Sequence, residues 1–213
     1  MAIEGAANEW VDFIDSMVHD ILQLVIAGWE EMPKPSPDDR EDHITNALCM
    51  KVRQHRAARD LPFQVHTQFV ELEPANDEKL GHLDIVFLPL VNREDIYFCL
   101  ECKRLNVIKD EKLRSYASEY VSFGMIRFIT GQYSKAVRHG GMAGYVLNGK
   151  VAVAIKNVEA NIKARCVDLH MTPPGGFIAS SLIPDDSRAR ETHHHRFQSK
   201  ETFSIHHVFI GNS

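Results

Sequence analysis

The stretch Phe98–Lys103, FCLECK, holds two thiols, an acid and a base. Two chemistries are open to it. Cys99-x-x-Cys102 has the spacing of a thiol pair, for zinc or for disulfide exchange. Glu101-x-Lys103 puts a carboxylate and an ammonium two residues apart. The surrounding segment 95–105, DIYFCLECKRL, is rich in β-branched and aromatic residues, which predicts a strand. Side chains alternate along a strand, so Cys99, Glu101 and Lys103 share one face and Phe98, Leu100 and Cys102 the other. The thiols then diverge. They can neither share a tetrahedral zinc nor form a disulfide without breaking the strand. No second CxxC completes a four-thiolate site, and a thioredoxin-like pair would sit at a helix N-terminus. The cysteines are expected to be small buried hydrophobes.

Glu101 and Lys103 survive the same test, projecting together with Cα atoms roughly 6.5–7 Å apart. A structural ion pair at a sheet surface would account for those two alone. Asp84 adds to them. In HLDIVF it stands among Leu83, Ile85, Val86 and Phe87, where a carboxylate is costly unless paired or metal-bound. From a neighbouring hairpin strand it can meet Glu101 across the pair. Two such carboxylates are hard oxygen ligands suited to Mg²⁺ or Mn²⁺. Lys103 beside them can orient a water and stabilise its hydroxide form. Glu41 is a third acid, three and seven residues before Ile44 and Leu48 and so on their helix face. It would point at the sheet. Asp38-x-x-Glu41 also fits a capping box, and the two roles are compatible.

Several elements must position these groups. The apolar residues Trp10, Phe13, Ile14, Met17, Val18, Ile21, Leu24, Val25 and Trp29 recur at helical spacing, predicting a helix over 8–31. The Pro-rich break MPKPSPDD follows it. That helix reads either as an extension outside the catalytic core, and a place for an oligomer contact, or as one more core helix. A second helix is expected over 38–60, with Asp38 as N-cap. Strands are expected at 63–73, 82–90 and 95–105, joined by loops short enough for antiparallel hairpins. A long helix over 109–129 would bury Leu113, Ala117, Tyr120, Val121, Gly124, Met125 and Phe128. A strand at 142–148, a helix from 149 and a strand near 203–210 complete the chain. The class is α/β, a mixed central sheet flanked by helices. One domain is the default for 213 residues. Its divisions are a helical extension (1–35), a core (38–150) and C-terminal additions (151–213).

Composition narrows the partners. Net charge is −5, with 24 basic against 29 acidic residues. This counts against a protein that coats nucleic acid non-specifically but not against an enzyme acting on it. The apolar stretch around ILQLVIAGW is short of the roughly 20 residues of a membrane span. With no leader-like N-terminus, a soluble, cytoplasmic protein is expected. Four cysteines at these positions do not suggest a secreted disulfide framework.

The motif GHLDIVF…YFCLECKRL, Asp84 followed by Glu101-x-Lys103, resembles the active-site signature of the PD-(D/E)xK nuclease superfamily, the restriction-endonuclease-like fold. The resemblance covers roughly residues 38–150 and implies an αβββαβ core. It implies that Asp84, Glu101 and the Cys102 carbonyl hold Mg²⁺ or Mn²⁺, that Lys103 positions the attacking water, and that Glu41 is the acid of the first core helix. The implied activity is phosphodiester hydrolysis, most naturally by a DNA endonuclease of bacterial restriction or anti-phage defence. Leu83 stands where the name-giving proline would be. Gln132 and Tyr133 are adjacent, not spaced as in the Gln-x-x-x-Tyr motif of the recombination-exonuclease branch.

Other residues are weaker candidates. Arg114, Arg127, Lys135 and Arg138 follow the motif and can contact phosphates, or serve as solvated surface charges. Gln132 and Tyr133 can line the site or pack the helix end. His82 shares a strand face with Asp84 and can sit at the site's edge. Adjacent histidines in a strand point to opposite faces, so neither His193–His195 nor His206–His207 chelates well as a unit, with a loop cluster the alternative for His193–His195. No nucleotide-binding loop or nucleophile elbow is present, and an ATP-driven step or targeting would need a partner subunit. A homodimer would allow double-strand cleavage. The alternatives are a nuclease-like DNA-binding or scaffold subunit of a larger assembly, and a hydrolase of another phosphate ester.

Overall fold

The computed structural model describes residues 7–70, 81–90, 95–196 and 201–212. The expected strand end at 71–73 and the connections 74–80 and 91–94 lie outside them.

The apolar stripe of the first segment folds as α1 (Ala7–Glu31), followed by α2 (Glu41–Gln54). Three strands come next: β1 (Phe63–Val70), β2 (His82–Pro89) and β3 (Phe98–Leu105). Both junctions are antiparallel, as the short connections require. Two short strands, β4 (Val107–Lys109) and β5 (Lys112–Arg114), pair only with each other. A helix then runs through α3 (Ala117–Glu119), a π-helical turn (Tyr120–Met125) and α4 (Ile126–Ile129). The rest is β6 (His139–Val146), α5 (Val151–Ala164), β7 (Ile178–Ala179), β8 (Ala189–His195) and β9 (Thr202–Gly211).

Seven strands make one mixed sheet in the order β1-β2-β3-β6-β9-β8-β7. β3 and β6 are parallel, as are β6 and β9. A parallel neighbour needs a crossover, and the α3–α4 helix supplies it between β3 and β6. Each sheet face is covered. Ile85, Phe98, Leu100, Cys102 and Tyr145 pack with α1 and α2, while Cys99, Met142, Ile205 and Phe209 pack with the π turn and α5. Strands covered on both sides read as near-continuous apolar runs, as YFCL and VFI do, and the buried His206 and His207 beside VFI are hydrogen-bonded to His139 and Thr192. The class is therefore α/β with a mixed central sheet. No helix among the described residues is long and apolar enough to cross a membrane.

Of the two readings of α1, the core one holds. Ile14, Val18, Ile21, Val25 and Trp29 are buried in the same cluster as α2 and the sheet.

Three expectations are corrected. The helix expected from residue 109 starts at Ala117, because Asp110 and Glu111 both take positive φ (51° and 59°) and turn the chain as a two-residue hairpin. Leu113 is exposed on that hairpin instead of lying in a helical core stripe. Asp38 does not cap α2: Arg40 holds the N-cap position with no side-chain cap bond. Glu41 is thus the first helical residue, too early to close a capping box. His193–His195 belong to β8, paired antiparallel to β9, and are not a loop cluster.

His194 is buried and bonds the Leu169 carbonyl (2.7 Å) and Thr192 Oγ1 (2.8 Å). Burial depresses its pKa from the usual 6.5 to about 4. A folded pKa below the unfolded one gives stability that is present above about 6.5 and lost as pH falls toward 4. The penalty of His194→Gln should therefore shrink by about 2–3 kcal/mol between pH 7 and pH 4.5. Urea midpoints of both proteins at both pH values measure it, and an unchanged penalty would contradict a buried neutral imidazole.

Candidate functional site

The site forms where the ladder between β2 and β3 stops. Their register runs only from Phe87↔Phe98 to Ile85↔Leu100, so beyond it the facing edges are free of each other. The β1–β2 register also skips one position, pairing Thr67↔Ile85 and Phe69↔Leu83 but not Gln68 with Asp84. Gln68 there has a left-handed φ of 53°. Alternation along β2 breaks at the same point: Leu83 packs with one core cluster while Ile85 and Phe87 pack with the other. Asp84 is released from the ladder and reaches across the gap, where its Oδ2 accepts the Cys102 amide at 2.7 Å.

Glu101 lies on the next strand with only 1% of its surface exposed. Its Oε1 receives Lys103 Nζ and Arg127 Nη1, both at 2.7 Å. Its Oε2 is buried and has no hydrogen-bond partner among the described residues. Lys103 Nζ also donates to the Cys102 carbonyl (2.9 Å) and to Glu41 Oε1 (3.0 Å). Glu41 comes from α2, on the other side of the sheet, and its Oε2 accepts the Arg104 amide at 2.9 Å. Lys103 thus ties the two layers together at the sheet's open gap. From α4, Arg127 Nη1 also donates to Tyr133 Oη (2.8 Å), which in turn donates to the His82 carbonyl (2.8 Å). A Cβ at Gly81 would run into the Tyr133 ring, so glycine there lets the ring pack against the strand. Likewise a Cβ at Gly124, in the π turn, would meet Met142 Cε and stand 3.6 Å from Glu101 Cγ.

The candidates separate accordingly. Glu41, Asp84, Glu101, Cys102, Lys103, Arg127 and Tyr133 converge. His82 contributes its carbonyl, while its side chain is exposed. Gln132 is half-buried at the helix end. Lys135 is apart, lining a cleft with Asp12, Arg138 and Arg196. Arg138 is ion-paired with Asp12 and Asp15 of α1. Arg104 was not anticipated, and could not be, because it joins the site through its backbone amide. The thiols part as alternation requires. Cys99 and Cys102 belong to opposite core clusters, and burial raises the Cys102 thiol well above its usual pKa.

The electrostatics are unbalanced toward the negative. Glu41, Asp84 and Glu101 face two cations, Lys103 and Arg127. Burial, then the charge of Glu101, raise Asp84 to about 7. Burial also raises Glu101, against the pull of Lys103 and Arg127. For Lys103 burial acts to lower the pKa, but Glu101, Glu41 and Asp84 outweigh it and hold the ammonium above the usual lysine range. Asp84, raised chiefly by burial, stands beside an unpartnered carboxylate oxygen of Glu101, so three acids share two cations there. No three His, Cys, Asp or Glu side chains among the described residues are gathered at metal-holding positions. Asp84, Glu101 and the Cys102 carbonyl, which here accepts Lys103 Nζ at 2.9 Å, are oxygen donors of the kind that Mg²⁺ takes together with water and substrate phosphate.

Compared with protein-family models, with curated proteins and with solved structures, the chain matches none.

Proposed function

We propose that this protein is a divalent-metal-dependent nuclease of the restriction-endonuclease-like fold, cleaving DNA internally in bacterial restriction or anti-phage defence. The observation that carries the reading is the buried, unpartnered Oε2 of Glu101 beside Asp84 and Lys103. The order α2-β1-β2-β3-α3/α4-β6 supports it, being the αβββαβ order that the sequence resemblance implies.

In this reading Asp84, Glu101 and the Cys102 carbonyl would hold Mg²⁺ or Mn²⁺. When bound, the ion polarises the scissile phosphate and lowers the pKa of a water. Lys103 orients that water. The water's oxygen would form a bond to phosphorus as its proton passes to solvent, the bond to the leaving sugar oxygen would break with that oxygen taking a proton from solvent, and the ammonium would stabilise the negative charge that builds up. Glu41 holds Lys103 from the α2 side. Arg127, fixed by Tyr133, opposes the rise that burial causes in the Glu101 pKa and holds the carboxylate in place.

Supercoiled plasmid incubated with Mg²⁺ or Mn²⁺ should be nicked or linearised, and EDTA should leave it intact. Calorimetric titration with Mn²⁺ gives a second readout, in which Glu101→Gln should abolish binding. Intact plasmid with every divalent metal, from folded protein, would reject unaided nuclease activity. It would favour the second reading, a nuclease-like DNA-binding or scaffold subunit. That reading draws on the ion pairs that Lys103, Glu41, Glu101 and Arg127 already make with one another.

A further inference from the structure

The hairpin β4–β5 leaves the end of β3 immediately after Lys103 and Arg104, pairs with no other strand and stands out from the sheet. Val107 is buried at its base; every residue from Ile108 to Arg114 is exposed. The register Val107↔Arg114, Ile108↔Leu113, Lys109↔Lys112 sorts the side chains. Lys109, Lys112 and Arg114 lie on one face, and Ile108 and Leu113 on the other. Lys109 and Lys112 stand directly opposite each other beside the turn carboxylates Asp110 and Glu111, with which they make no ion pair, so the three cations outnumber the two acids of the ribbon. No ion pair among the described residues neutralises any of the three cations. In a chain with a net charge of −5, an exposed and unpaired cationic face is a local exception.

We propose that the β4–β5 ribbon docks in the major groove of duplex DNA, with Lys109, Lys112 and Arg114 on the backbone phosphates beside the cleavage point. The ligand chemistry is the polyphosphate backbone of a double helix. The major groove of B-DNA admits a two-stranded ribbon, whereas that of A-form RNA is too narrow, which selects DNA. Lys109 is six residues beyond Lys103, at most ~20 Å along the chain, so one bound duplex can reach both. This rests on the nuclease reading of the site and adds to it how substrate is held.

The test is fluorescence anisotropy with a labelled mixed-sequence 30-base-pair DNA duplex in EDTA, across a salt series. Wild type is compared with K109Q/K112Q/R114Q, and a duplex RNA of the same sequence serves as the second arm. The triple variant should bind DNA at least ~10-fold more weakly near 0.1 M salt. Its slope of log affinity against log salt should be shallower by about 2–3, the release of three phosphate contacts. Wild type should prefer DNA over RNA. With Mg²⁺ the variant should lose kcat/KM while keeping kcat at saturating DNA within about 3-fold. All three positions are exposed, so an unchanged thermal midpoint checks that the variant is folded.

Equal affinity and slope in the two proteins would overturn the proposal, as would a wild type that does not bind duplex DNA. Equal binding to RNA would overturn the groove assignment. Loss of DNA binding in I108S/L113S but not in the charge variant would overturn the phosphate contacts and place binding on the ribbon's apolar face. Binding that depends on the ribbon, with no cleavage under any metal, would uphold this proposal and sink the nuclease reading. Cleavage unaffected by the ribbon would do the reverse.

Discussion

Lys103→Ala should lower metal-dependent DNA cleavage by about 10²–10³-fold while leaving duplex affinity within about 3-fold. Among the described residues the ammonium is the one group that touches Glu101, Glu41 and the Cys102 carbonyl together. Removing it takes away the cation beside the attacking water. It does not strand Glu101, because Arg127 stays on the same carboxylate oxygen at 2.7 Å. The loss should therefore appear in kcat rather than in folding. Lys103→Arg should not restore activity. A planar guanidinium is broader than an ammonium, and the space between Glu41 and Glu101 is bridged by a single nitrogen. Asp84→Asn should fall as far as Lys103→Ala. Asparagine can still accept the Cys102 amide, so its backbone contact survives while its charge is lost. Single-turnover cleavage of a defined duplex distinguishes the cases. Activity within about 3-fold of wild type in Lys103→Ala would remove Lys103 from the chemistry and leave it a structural ion pair.

Trp29→Ala should cost about 3–5 kcal/mol. Trp29 is 1% exposed, stacks on Tyr145 with ring centroids 5.4 Å apart and 6° between planes, and donates its indole N–H to the Gly211 carbonyl at 3.1 Å. Tyr145 lies on β6, next to the site strand, and its hydroxyl meets Thr45 of α2 at 3.1 Å. Truncating Trp29 opens a cavity between α1, α2 and the sheet and leaves the Gly211 carbonyl without that donor. Against a total stability of about 5–15 kcal/mol the loss is large, and the urea midpoint should drop accordingly. A helix serving only as an arm would show a change below about 1 kcal/mol, which would contradict its placement in the core.

Much of this was legible in the residues. Strand alternation was enough to part Cys99 from Cys102 and to join Glu101 to Lys103, because it depends only on backbone geometry. The order of α1, α2, β1, β2, β3, β6, α5 and β9 could be read from apolar spacing and short connections, and so could the antiparallel pairing of β1, β2 and β3, whereas β4, β5, β7 and β8 were not anticipated. What failed was local. Lys109–Phe128 has helix-compatible spacing, but Asp110 and Glu111 take left-handed turn conformations that neither residue type demands. Asp38 and Glu41 have capping-box spacing, but residues 36–39 close a turn of their own and the helix begins at Glu41, whose carboxylate is engaged by Lys103 and Arg104 instead.

The sequence by itself determined which acids and which base stand on neighbouring strands, and that one long segment is amphipathic enough to be a helix. Only the tertiary structure decided that Asp84 escapes alternation at the skipped rung beside Gln68, that Arg127 and Tyr133 close over Glu101, and that α1 is core. These depend on contacts between residues far apart in the chain: Arg127 is 26 residues from Glu101, and Trp29 is 182 from Gly211. Periodicity reports the environment along one element. It carries no information about where two elements stop pairing, and the site lies where β2 and β3 part.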